Sequence, residues 1–136
     1  MKRICLFLLI CVNINSFSQE LTVASPDQTI TVNIYIGTEL NYDVLADEKV
    51  LISNATIDMQ LYGEIFLSGH LSVQSAKTTT VNETIVAQIP VSRKNISNHY
   101  NELTITFKKN FAVIFRAYND GVAYRIATTF KDSITV

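Results

Sequence analysis

Residues 102–130 read ELTITFKKNFAVIFRAYNDGVAYRIATTF. From Glu102 to Lys108 the side chains alternate, with Leu103, Ile105 and Phe107 on one side and Thr104, Thr106 and Lys108 on the other. A period of two is what a half-buried strand requires. Lys109-Asn110 make a turn, and Ala112 to Tyr118 and Val122 to Phe130 flank Asn119-Asp120-Gly121. Asparagine, aspartate and glycine tolerate the positive φ that a tight hairpin demands. The stretch therefore predicts a three-strand antiparallel meander.

The same period recurs towards the N-terminus. Thr29 to Ile36 places Ile30, Val32, Ile34 and Ile36 on one face and Thr29, Thr31, Asn33 and Tyr35 on the other. Ser25-Pro26-Asp27-Gln28 before it carries turn chemistry, since proline fixes φ and the short polar side chains bond nearby amides. Gly37-Thr38 leads to a second strand, Glu39 to Ala46. Val50 to Ile52, Ile57 to Tyr62, Leu71 to Gln74 and Thr84 to Ile89 are shorter β-branched or aromatic candidates. Gly63 to Ala76 and the Lys77-Thr78-Thr79-Thr80 tract read as exposed connections. No helical period runs for a useful length, so the predicted class is all-β, an antiparallel β-sandwich. Ile134-Thr135-Val136 is strand-like with no closing turn, so a sheet cut short is expected, and with it an incomplete domain over 19–136.

The first 18 residues read as an address. Lys2 and Arg3 precede an apolar run from Ile4 to Val12, too short to span a bilayer, which leads to Ser16-Phe17-Ser18 as a small-x-small cleavage site. An exported chain, periplasmic or secreted, is the expectation, with no membrane attachment after cleavage. Removing 1–18 takes away Cys5 and Cys11, the only cysteines, which excludes disulfides and thiol chemistry from the mature chain. What remains is 118 of the 136 residues, with 9 of the 11 basic side chains against 12 acidic ones, a net charge of −3. No basic patch is left for nucleic acid.

Acid–base hydrolysis by a carboxyl pair needs two such groups to converge on one bond, and no pair of acids here visibly does. Asp43, Asp47 and Glu48 cluster about a turn, where solvated charge is the ordinary explanation. Asn119, Asp120 and Gly121 are assigned to a turn rather than to catalysis. His99 and Tyr100 can hydrogen-bond hydroxyl groups, and a ring can stack on a sugar face. Arg116 and Arg125 flank the hairpin turn and can pair across strands or with a carboxylate of another domain. These four are the candidate carbohydrate or interdomain contacts, and no catalytic residue is assigned. His70 and His99 lack metal-ligand spacing, so no metal site is expected. Asn54, Asn82 and Asn95 sit in N-x-S/T triplets, which matter only in a eukaryotic secretory pathway.

Two stretches, Asn98-His99-Tyr100-Asn101-Glu102-Leu103 and the pattern F-R-x-Y-x-D-G-x-A-Y-R from Phe115 to Arg125, resemble the N-terminal domain of glycoside hydrolase family 97. Ser25-Pro26-Asp27 is a third, weaker match, with Gln28 where a glycine usually follows, and the chain has no tryptophan. The resemblance implies part of a galactose-mutarotase-like β-supersandwich at the front of a calcium-dependent α-glucosidase or α-galactosidase of a Gram-negative bacterium. It implies that the catalytic carboxylates and calcium-ligating glutamates lie in a following (β/α)8 barrel, beyond Val136. The chain would then be a non-catalytic support, meeting carbohydrate only through the full-length enzyme. The alternatives are a stand-alone carbohydrate-binding module and a surface β-domain whose edge pairs with a partner strand.

Overall fold

The computed structural model describes residues 19–61, 64–65, 67, 69–86, 88 and 95–128. The proposed leader 1–18 and the strand-like 134–136 lie outside them, as do Tyr62, Ile89 and Phe130. The described residues form β1 (Gln19–Ala24), β2 (Ile30–Ile36), β3 (Leu40–Ala46), β4 (Lys49–Ile57), β5 (Gln60–Leu61), β6 (Glu64–Ile65), β7 (Val73–Val86), β8 (Asn95–Phe107), β9 (Phe111–Tyr118) and β10 (Gly121–Thr128). Two four-stranded antiparallel meanders result, ordered β1-β2-β3-β4 and β10-β9-β8-β7, beside a small β5-β6 hairpin.

The alternating residues decide which faces meet. Val32, Ile34 and Ile36 of β2 and Leu40 and Val44 of β3 are buried against Leu103, Ile105 and Phe107 of β8 and Val113, Phe115 and Ala117 of β9. The all-β sandwich is thus as expected. β1 packs on β8 and β9, and β2 on β9 and β10. The two sheets are therefore offset: β3 and β4 reach sideways past β10, and β7 lies past β1.

Several boundaries differ from the sequence reading. β1 went unread, because only Val23 in it is fully buried and its first residues are polar and exposed. Val50–Ile52 and the start of Ile57–Tyr62 belong to one strand, β4. The Lys77–Thr80 tract is no connection but the middle of the 14-residue β7, and Asn98 to Tyr100 lie within β8. β7 is an edge strand exposed on both faces along most of its length, so it has no reason to alternate.

The left-handed turn residues also sit elsewhere. Tyr118 pairs with Gly121, which leaves Asn119-Asp120 as a two-residue loop, but among the described residues other than glycine the positive φ values fall on Gln28, Asp47, Glu48, Asn54 and Asn110. Asp47 and Glu48, at φ 47° and 64°, form the two-residue loop between Ala46 and Lys49. Both central residues at positive φ is the type I′ pattern, which favours Asn-Gly. Replacing Asp47-Glu48 by Asn-Gly is expected to raise stability by about 1 to 2 kcal/mol, read as a higher urea midpoint at unchanged slope. Asn54 sits at a bulge in β4, where the register slips between Tyr42↔Ala55 and Val44↔Ile52. Asp43 holds it: Oδ1 accepts the Asn54 N–H at 2.6 Å and Oδ2 accepts the Tyr35 hydroxyl at 3.1 Å.

Candidate functional site

The three stretches that carried the resemblance meet at one end of the sandwich. Its base is the turn between β1 and β2. Ser25 is fully buried, its N–H donates to the Ile30 carbonyl at 2.7 Å, and its carbonyl accepts the Gln28 N–H at 3.0 Å. Ser25 Oγ accepts the Ile30 N–H at 3.0 Å and donates to Asp27 Oδ1 at 2.6 Å. Asp27 Oδ1 also accepts the Thr29 N–H at 3.1 Å and the Thr29 hydroxyl at 2.8 Å. Gln28, at φ 66°, occupies the position where the resemblance expects glycine. The reason for that glycine is therefore conformational.

From this turn two hydrogen bonds cross to the other sheet. The Asp27 N–H donates to Asn119 Oδ1 at 3.2 Å, which ties the first turn to the β9–β10 turn. Asn101 Nδ2 donates to the Ala24 carbonyl at 2.8 Å, and its Oδ1 accepts the Thr80 hydroxyl at 2.7 Å. Asn119 thus serves the turn and also bridges the sheets, a role that sequence reasoning missed.

Hydrogen bonds donated by Ser25 and Thr29 hold the Asp27 carboxyl below its usual pKa. A depressed carboxylate contributes stability above its unfolded pKa and loses it as the pH falls through the folded value. The acid limb of the stability profile, from about pH 4 downward, is expected to shallow in Asp27→Asn, read by urea midpoints across pH.

Arg116 and Glu102 face away from the core, at opposed positions on β9 and β8, with Arg116 Nε 2.7 Å from Glu102 Oε2. The guanidinium carbon lies 4.6 Å from the centre of the Tyr100 ring, and the Tyr100 and Tyr118 rings are 4.9 Å apart. The hydrogen bond to Glu102 holds the Arg116 pKa above its ordinary value. Tyr100 is buried, so its ring supports the arginine and presents no open face for a sugar.

The four candidates do not form one cluster. Arg116 stands opposite Ala123 and pairs back to β8, so it does not pair with Arg125, which stands exposed opposite Ile114. Strand alternation turns His99, opposite Asn82, to the other side of the sheet from Tyr100. A hairpin turn centred on Lys109 would itself have set Glu102 opposite Arg116. That was the signal available for the pair.

Five of the acidic side chains among the described residues bond their own fold. Asp27 serves the first turn, Asp43 the bulge, Asp58 Oδ1 the Met59 N–H at 2.7 Å, Glu83 the Asn98 amide at 2.6 Å, and Glu102 the arginine. No three His, Cys, Asp or Glu side chains among the described residues gather as metal ligands.

Comparison with known proteins gives this arrangement its context. The family model for the glycosyl-hydrolase 97 N-terminal region matches residues 23–136. A retaining α-galactosidase of Bacteroides thetaiotaomicron is 35% identical over 134 residues, 96% of this chain and 20% of that protein. Among solved structures, a glycoside hydrolase family 97 enzyme from a Pseudoalteromonas species, complexed with panose in one case and acarbose in another, superposes at TM-score 0.70. The identity is 22%, covering 79% of this chain and 17% of that one. A β-arabinopyranosidase superposes at TM-score 0.68 with 19% identity, over 83% of this chain and 19% of its own. The chain thus spans about a fifth of the length of these relatives.

Proposed function

Because the chain belongs to the glycosyl-hydrolase 97 N-terminal family, we propose that it is the non-catalytic front portion of an exported α-glycosidase, supporting a catalytic domain carried by the rest of the polypeptide. The observation that carries this reading is the bonded end of the sandwich. Three separated motifs are spent on joining Ser25-Asp27, Asn101 and Asn119 across two sheets, while the carboxyl groups of Asp27 and Glu102 are engaged by Ser25, Thr29 and Arg116. Glycosyl transfer needs one carboxyl group to donate a proton and a second to attack or to activate water. Groups already committed to backbone amides and to Arg116 are poor candidates for either duty.

On this reading the whole enzyme acts on an α-galactoside or α-glucoside, with calcium bound by residues outside the described part of this chain. Arg116, fixed by Glu102 and Tyr100, and Arg125, free to reorient, are the side chains that meet the neighbouring domain. His99, on the opposite side, is left as the candidate for a carbohydrate hydroxyl. The leader 1–18 directs the protein to the periplasm or beyond.

Reading the gene through the codon for Val136 tests the proposal. A frame that continues into a barrel with two opposed carboxylates is the expected result. A stop codon there, in a gene whose product is abundant and intact at 136 residues, would overturn it.

A further inference from the structure

Cleavage after Ser18 would make Gln19 the first residue of the exported chain, and Gln19 already belongs to a strand. The Ser25 N–H donates to the Ile30 carbonyl at 2.7 Å, so the hydrogen-bonded pairs alternate back from there through Val23↔Val32 and Leu21↔Ile34 to Gln19↔Ile36. Gln19 stands exposed in that outermost pair, which is the part of a ladder that opens first. No spacer would separate the new terminus from the core sheet. Leu21 and Val23, next on the same face, pack into the sandwich, and the Ala24 carbonyl accepts Asn101 Nδ2 at 2.8 Å.

A glutamine at a chain terminus holds a nucleophile and an electrophile in one residue. While Ser18 is attached, the Gln19 nitrogen is an amide and cannot attack. Removal of the leader turns it into an amine within reach of its own side-chain carbonyl carbon, Cδ. An ordinary α-amine, with a pKa near 8, is about one-tenth uncharged and nucleophilic at pH 7. Holding both groups in one residue replaces a chance encounter between two molecules.

We propose, resting on 1–18 as a removed leader, that Gln19 is a modification site which closes to a pyroglutamyl residue and so blocks the start of β1 to aminopeptidases. The α-nitrogen bonds to Cδ, the Cδ–Nε2 bond breaks, and the side-chain nitrogen leaves as ammonia with a proton from the amine. No oxidant or co-reactant is needed. The Gln19 carbonyl, which accepts the Ile36 N–H in the outermost pair, takes no part, so that half of the pair survives. The ammonium charge disappears, and exopeptidases that grip a free α-amine lose their handle. Without the block, trimming would run directly into Leu21, Val23 and the Ala24 carbonyl, and so into the tie with Asn101.

The test is to express the chain with its own residues 1–18 in a Gram-negative host, recover it from the periplasm, quench it in acid at harvest, and read the N-terminal tryptic peptide, Gln19–Lys49, by mass spectrometry. The expected peptide is lighter than its sequence by one ammonia and loses no residue to an aminopeptidase. Gln19→Ala is expected to begin with a free amine and to be shortened by the same aminopeptidase. The synthetic hexapeptide Gln-Glu-Leu-Thr-Val-Ala, added at harvest, is expected to keep its ammonia. Three results would overturn the proposal. A peptide that starts at Gln19 with its ammonia retained removes the ring and leaves the leader standing. An N-terminal peptide that starts at any other residue removes both. Equal ring closure in the added hexapeptide makes the ring a product of handling.

Discussion

Phe115→Ala is expected to be the most damaging single truncation in this chain, lowering stability by about 3 to 5 kcal/mol. Phe115 is 2% exposed and is the residue on which the two sheets and a lateral cavity converge. Its ring lies 5.7 Å from that of Tyr42 on the first sheet and 5.9 Å from that of Tyr124 on β10, and its backbone stands opposite Leu103 on β8. Removing it takes away the buried ring and two aromatic contacts, and the space it leaves joins an existing void instead of closing. A small domain has about 5 to 15 kcal/mol in hand. The expected melting temperature falls by about 12 to 20 °C, at about 4 °C per kcal/mol for a domain of this size. A fall of only a few degrees in a circular dichroism melt would mean that the core is not arranged around this ring.

Ser25→Ala removes a single oxygen and is expected to lower stability by about 1 to 3 kcal/mol. The serine is fully buried, and its Oγ both accepts the Ile30 N–H at 3.0 Å and donates to Asp27 at 2.6 Å. Alanine fits the space but weakens the hold on Ile30 and frees Asp27 from its strongest local donor. The loss should reach Asn119, whose contact to the turn runs through the Asp27 N–H. Faster amide exchange at Asp27, together with a changed Asn119 side-chain signal, would show that the turn carries the cross-sheet tie. Unchanged exchange at Asp27 would confine the role of Ser25 to its own hairpin. Ser25→Thr keeps the hydroxyl, so partial recovery separates the lost hydrogen bonds from a packing fault.

How much of this was legible in the sequence follows from where water lies. β2, β3, β8 and β9 each have one dry face, so Ile30 to Ile36 and Leu103 to Phe107 announce themselves by alternation. β7 has no dry face over Lys77 to Thr80, and β1 buries fully only Val23, so neither had a period to read. The turn chemistry of Asn119-Asp120-Gly121 located its hairpin correctly, but the left-handed pair is Asp47-Glu48, of which sequence preference would choose only the aspartate. At the bonded end, the Glu102–Arg116 pair follows from hairpin register alone. The bonds from Asp27 to Asn119 and from Asn101 to Ala24 join residues 92 and 77 positions apart in different sheets, and no local pattern encodes such a meeting.

That the catalytic groups lie outside this chain is tested most directly by turnover of p-nitrophenyl α-galactoside and α-glucoside by the purified mature chain, with and without calcium. No release of nitrophenol above the uncatalysed rate, from protein whose circular dichroism and melting show it folded, is the expected result. Turnover that copurifies with the chain and disappears when Asp43, Asp27 or Glu102 is replaced by the corresponding amide would contradict it, and would place the two carboxyl groups within the sandwich itself.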